Sequence, residues 1–242
     1  MFSRALLFGG GVAVGAILTT LARRFFKKGI SKQALQSLPV FRIALTGGPC
    51  GGKSSSLAHF SRALKKKGFA VYAVPEIPTI LMMGGCTYPG IEGGRKLIEF
   101  ESALISLQLQ AEDSFLRCAL AEGKPAVIVY DRGLMDIPAY IPRKNWLEIL
   151  EANSLVEADL IRRYDLVLHL VTAADGAEKF YTTGNNDART ETPEVARMLD
   201  KKVQETWSKH PNQHIVGNDG TFSDKLQDAT GHVLKLVGAA DL

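Results

Sequence analysis

The densest run of chemistry-bearing residues lies at positions 47–54, where Gly47, Gly48, Pro49, Cys50, Gly51, Gly52, Lys53 and Ser54 spell G-x-x-x-x-G-K-S. Glycine has no Cβ, so such a backbone can turn its N–H groups inward around an anion. A helix starting there adds unpaired N–H groups and the positive end of its dipole. Lys53 is expected to reach the β- and γ-phosphates of ATP or GTP, and the Ser54 hydroxyl to ligate magnesium. Ser55 adds polarity beside the loop, although it and Ser56 are out of register with the motif, and Cys50 reads as a small loop filler.

Two further acidic positions follow apolar runs. Asp131-Arg132-Gly133 comes after AVIVY, and Glu76 comes after AVYAVP. A carboxylate at Asp131 can join the magnesium shell or orient a nucleophile, and Arg132 can grip a phosphate with two parallel hydrogen bonds. Glu76 can accept a hydroxyl proton from a small acceptor molecule. Residues 82–90, MMGGCTYPG, read as a flexible flap over that acceptor pocket. Arg95 just beyond it is equally a pocket residue or an exposed helix start. The polar stretch 182–191 reads as a lid in which Arg189, steadied by Glu191, supplies positive charge to the transferring phosphoryl group. Thr190 would cap the next helix, with Pro193 in its first turn. Arg197, Lys201 and Lys202 read as a solvated face of that helix. Asn218, in GNDGTF, sits where a nucleobase would pack, and Phe222 reads as core.

The elements that must position these groups alternate. Short runs rich in β-branched residues at 40–46, 70–75, 126–130, 166–171 and 214–217 read as strands. Helical periodicity fills 53–66, 95–121, 145–163, 193–209 and 223–237, and Gly123-Lys124-Pro125 reads as a turn. The expected fold is α/β: a three-layer P-loop NTPase with a five-stranded parallel sheet, preceded by an N-terminal hydrophobic helix. In such sheets ligands bind outside the carboxyl ends of the strands, where the acids above fall.

Composition is that of a folded protein, with 46% hydrophobic and 22% charged residues, which excludes disorder and low complexity. The three cysteines are widely spaced, so they form no disulfide framework or metal motif and suit a reducing compartment. The first 75 residues carry twelve Lys and Arg and no carboxylate, whereas all 25 carboxylates lie beyond them. That asymmetry is unlike a uniformly basic nucleic-acid binder, and no nucleic-acid partner is expected.

Residues 5–22 are uncharged and mostly apolar, with basic residues on both flanks. Segment 1–28 is therefore expected to be a membrane anchor, with residues 5–22 in the bilayer and the rest facing cytosol or matrix, or else a transit peptide cleaved on entry to an organellar matrix. Gly11 and Gly15 have the spacing of a small-residue helix contact, or simply of tolerated helix glycines. Residues 29–39 read as a linker, and 40–242 as one nucleotide-binding domain.

The segments LTGGPCGGKSS, VPEIPTILMMGG, VYDRGLMDIPAYI, ARTETPEVA and HPNQHIVGN, spread from Phe41 to about Gly220, resemble the NadR/TRPL-translocation-defect family of AAA-type P-loop domains. The resemblance implies a nucleoside-kinase-like fold in which Glu76 and Asp131-Arg132 have counterparts. Its members include riboside kinase modules and GTP-binding trafficking proteins. Two activities thus remain in view: a magnesium-dependent phosphotransferase acting on a nucleoside-like or riboside acceptor, and a membrane-anchored nucleotide switch. No Asn-Lys-x-Asp string is present to read guanine. The chain reads as too short for the usual helical lid domain of a remodelling motor.

Overall fold

The computed structural model describes residues 38–181 and 192–238. The expected strands form β1 (Val40–Gly47), β2 (Ala70–Val74), β3 (Ala126–Asp131), β4 (Leu166–Leu170) and β5 (Gln213–Val216). They make one sheet in the order β2-β3-β1-β4-β5 with every pairing parallel. Around it lie α1 (Lys53–Lys66), α2 (Ile77–Met83), α3 (Arg95–Glu122), α4 (Arg143–Ala152), α5 (Glu157–Ile161), α6 (Pro193–Thr206) and α7 (Phe222–Gly238). Two short 3-10 turns, Leu134–Ala139 and Glu178–Phe180, complete the described elements.

Successive side chains of a strand point to opposite faces, and this divides the core in two. Ile43, Leu45, Val127 and Val129 bury against Phe60 and Leu64 of α1 and Ala229 and Val233 of α7. Ala44, Ile128, Tyr130 and Val167 bury against Leu97 and Ile105 of α3, Trp146 of α4 and Val203 of α6. Strands covered on both faces must be apolar throughout, which explains the runs without alternation. Truncating a wholly buried residue such as Ile128 to alanine would cost about 2–5 kcal/mol.

This strand order makes β1 the switch point: one crossover leads away toward β3 and β2, the other toward β4 and β5. A crevice opens at the carboxyl end of β1 as a result. Leu45 of β1 pairs with Asp131, and Gly47 with Leu170.

Strand ends agree with expectation to within a residue, but several other expectations are corrected. The helix anticipated over 145–163 is two helices, α4 and α5. Asn153 donates from its side chain back to the Ile149 carbonyl at 2.8 Å, Ser154 takes a left-handed φ of 53°, and Leu155 N–H returns to Leu150 O at 2.8 Å, closing α4. Met82 and Met83 are not flap but the last turn of α2, which Pro78 opens and Gly84 ends. Helix α6 is capped by Thr192, whose hydroxyl accepts from Val195 N–H, rather than by Thr190. It stops at Thr206, short of 209. Gly123 ends α3 at φ 71°, as the expected turn requires.

The expected hydrophobic segment 5–22 and the lid stretch 182–191, with Arg189 and Glu191, lie outside the described residues. Among the described residues, no helix is long and apolar enough to cross a membrane.

Candidate functional site

Strand β1 delivers the loop Gly47–Gly52 to the crevice, and α1 leaves from it. A side chain at Gly47 would collide with the Leu170 carbonyl of the neighbouring strand, so only glycine permits this approach. Gly52, at φ 87°, turns the chain into α1 in the left-handed region, and its carbonyl accepts from Ser56 N–H at 2.9 Å. The loop's outer side is held from a distance. Asp200 of α6 accepts from Gly48 N–H at 2.8 Å and from Thr172 N–H at 3.0 Å, and the Thr172 hydroxyl donates to Pro49 O at 2.6 Å. Gln204 donates to the second Asp200 oxygen at 2.8 Å, and His169 Nε2 lies 3.1 Å from the first.

Lys53 Nζ donates to the loop's own carbonyls, Gly47 at 3.1 Å and Gly48 at 3.0 Å. Burial, reinforced by the nearby Arg132 charge, lowers this ammonium to about 8 against the partial opposition of Asp131, Glu76 and Asp136. An ammonium so placed is a group short of counter-charge, and an anion in the loop would relieve it.

The acids expected at the strand ends converge here. Arg132, directly after β3, sits at φ 69°, an unfavourable backbone for a side-chain-bearing residue, with its N–H bonded to Leu45 O at 3.0 Å. Its Nε donates to Glu76 at 2.5 Å and its fork also reaches the Tyr140 hydroxyl at 3.1 Å. Burial alone would raise the Glu76 carboxyl. The Arg132 charge, with hydrogen bonds from Thr79 and Arg132, outweighs it and holds Glu76 below the usual range. Burial raises Asp131; Lys53 opposes this and Glu76 adds to it.

Beneath them Asp136 is fully engaged, accepting from the Thr46 hydroxyl, from Trp207 Nε1 at 2.9 Å and from Gly133 N–H at 3.0 Å. It braces β1, the turn after β3 and the end of α6 against one another.

Asp131 and Ser54 both line the cleft, and neither side chain has a hydrogen-bond partner among the described residues. A carboxylate and a hydroxyl left open beside a phosphate loop are hard oxygen donors of the kind magnesium takes. The residues present therefore fit the metal and the triphosphate.

The cleft has a volume of about 1730 Å³ and extends from the loop residues Pro49–Ser55 past Glu76, Asp131 and Arg132 to Tyr88, Phe100 and Glu101. At its other end lie Phe180, Asn218, Phe222 and Lys225. Asn218 is less free than expected, since its amide donates to Thr172 O at 2.9 Å and Asp175 O at 2.6 Å and its oxygen accepts from Lys225 at 2.7 Å. It is a brace of this wall. Phe222 is half exposed with its ring over Gly52, not core, because the helix it opens starts at the cleft rim. Arg197 is not merely solvated: it donates to Ala174 O at 2.7 Å. Lys201 and Lys202 are exposed as expected. Arg95 is an exposed helix start, its side chain pairing with Glu99. Ser55 is exposed at the cleft margin, and the neighbouring Ser56 is buried with an unpartnered hydroxyl.

Sequence reasoning passed over Asp136, Thr172, Asp200, Lys225 and Glu101. A signal existed for two of them. Asp200 falls between Ala196 and Val203, and Glu101 between Leu97 and Leu104, each a carboxylate at a position where the helical period calls for an apolar side chain.

Residues 42–225 match a protein-family model described as an AAA domain. No curated protein matches the chain.

Proposed function

The chain belongs to this AAA-domain family, whose P-loop implies nucleotide binding, and from that premise we propose a magnesium-dependent phosphotransferase acting on a small nucleoside-like or riboside acceptor. One observation carries the reading. Glu76, at the carboxyl end of β2, lies in the same cleft as the phosphate loop, with Asp131 and Arg132 at the end of β3. A cleft of about 1730 Å³ exceeds the roughly 300–1,000 Å³ of an ordinary single-ligand pocket, leaving room for a second ligand beside a triphosphate.

In this reading the loop amides and Lys53 bind the phosphates, and Ser54 and Asp131 hold the metal. Bound magnesium supplies neutralisation of charge on the phosphate oxygens. Arg132 orients the transferring group through its guanidinium, and Glu76 accepts the proton of the acceptor hydroxyl. Arg189 is proposed to add a second positive charge. The test is a screen of nucleosides and ribosides with the purified full chain and labelled ATP and GTP. Label transferred to an acceptor is the expected result, and nucleotide binding without transfer to any acceptor counts against the reading.

A second reading has its own support. The base candidate Glu76 is held ionised and weakly basic by Arg132, which suits slow chemistry, and the apolar segment 5–22 suits a membrane-tethered switch. A switch requires a partner whose affinity differs between the diphosphate and triphosphate states. Equal affinity in both would remove it.

A further inference from the structure

Among the described residues, the buried acids are hydrogen-bonded within the protein, with one exception. Asp136 has three donors, and Glu112 accepts from Gln108 at 3.0 Å, from Tyr164 at 2.5 Å and from Arg163 at 2.6 Å. Asp200 has Gly48, Thr172 and Gln204. Glu101 is only 4% exposed and lies on the buried face of α3, between Leu97 and Leu104. It has no hydrogen bond or ion pair with any described residue. Burying a carboxyl with no partner from the protein is costly, and its oxygens, which line the cleft rather than being sealed in the core, take their partner from what occupies the cleft.

What surrounds it narrows the choice. Glu101 lines the cleft together with Tyr88, Phe100, Leu104 and Gln108. Tyr88 and Phe100 meet edge to face with centroids 5.7 Å apart. Gln108 gives its amide N–H to Glu112, which leaves its carbonyl oxygen as an acceptor. The region therefore offers aromatic and aliphatic walls with acceptor oxygens beside them, and none of the cleft's cations, Lys53, Arg132, Lys179 and Lys225, is paired with Glu101. An anionic group would meet Glu101 unfavourably, and a purely apolar one would leave it unpaired.

We propose that Glu101, beside Tyr88 and Phe100 in the cleft lining, is the specificity residue for the acceptor and receives the N–H-bearing edge of a heterocyclic ring. The ring lies against the aromatic walls while the acceptor's hydroxyl end extends toward Glu76 and Arg132. This inference rests on reading the cleft as an acceptor site.

The test is calorimetric titration of the full chain with guanosine, cytidine, adenosine and the ring-donor-free isostere β-D-ribofuranosylbenzene, for the parent, Glu101→Gln and Glu101→Leu. In the parent at least one N–H-bearing nucleoside binds about tenfold or more tighter than the isostere. Glu101→Leu removes that preference, Glu101→Gln keeps part of it, and ATP affinity stays within about twofold in both. Equal nucleoside binding by the parent and Glu101→Leu overturns the proposal, as does the isostere binding as well as the nucleosides, or no binding of any of them. Labelled phosphoryl transfer in the same samples separates the two ideas. Glu101-dependent binding without transfer sinks the phosphotransferase and leaves the specificity role standing. Transfer that Glu101→Leu leaves unchanged does the reverse.

Discussion

Arg132 grips Glu76 through Nε at 2.5 Å across the ends of two neighbouring strands, β3 and β2. The contact gives Arg132 two duties, since the same guanidinium that faces the phosphate loop also sets the basicity of the acid. Glu76→Gln keeps the shape and removes the carboxylate proposed as proton acceptor. It is expected to lower kcat about 10²- to 10⁴-fold with little change in ATP affinity, and steady-state kinetics on the acceptor found by screening would check it. Arg132→Met should lower kcat as well and weaken acceptor binding, because Glu76 is then left with Thr79 alone as its hydrogen-bond donor.

Lys53 is expected to make triphosphate binding sensitive to pH. Its ammonium is lowered to about 8 in the free protein, and a bound phosphate restores it toward its ordinary value, so binding takes up a proton above that pH. ATP affinity is expected to fall as pH rises from 8 to 9.5, by up to about tenfold per unit. Calorimetry in buffers of different ionisation enthalpy reads the proton directly. Lys53→Ala should bind weakly at every pH, without the slope.

Glu101 predicts a stability change of opposite sense to that of a paired acid. Burial raises it to about 7, so between its unfolded value and 7 the native state holds the proton more tightly than the unfolded chain does. Stability therefore falls as pH rises through that window, and the full penalty is present above 7. Glu101→Gln is expected to stabilise the protein by about 2–3 kcal/mol at pH 8 and much less at pH 5. Thermal melts at the two pH values check it; equal shifts would show that the carboxyl is not burdened.

Asp200→Ala should cost about 1–3 kcal/mol, because the Gly48 and Thr172 N–H groups lose their shared acceptor in a buried place. Triphosphate affinity should fall with it, although Asp200 is not expected to touch nucleotide. Nucleotide titrations well below the melting temperature separate this effect from unfolding.

Much of the architecture was legible because it is written locally. The loop Gly47–Ser54 is contiguous, and β1 and β3 are apolar on both faces, so neither needs a distant partner to be recognised. Asp131 and Glu76 are expected at the cleft by the rule that polar residues at strand ends face ligands, and both line it. The supports were hidden for the opposite reason: Asp200 is 152 residues from Gly48, and Asp136 is 90 from Thr46. Helix α2 was missed because seven residues beginning Ile-Pro and ending before Gly-Gly carry the punctuation of a loop. The break between α4 and α5 was missed because Asn and Ser, with Ser154 left-handed, do the work usually signalled by glycine.

The Gly48–Asp200 bond means that the phosphate loop does not keep its own shape. The amide of Gly48, on the loop's outer side, takes its position from α6, so a substitution that shifts that helix displaces the anion cradle with it.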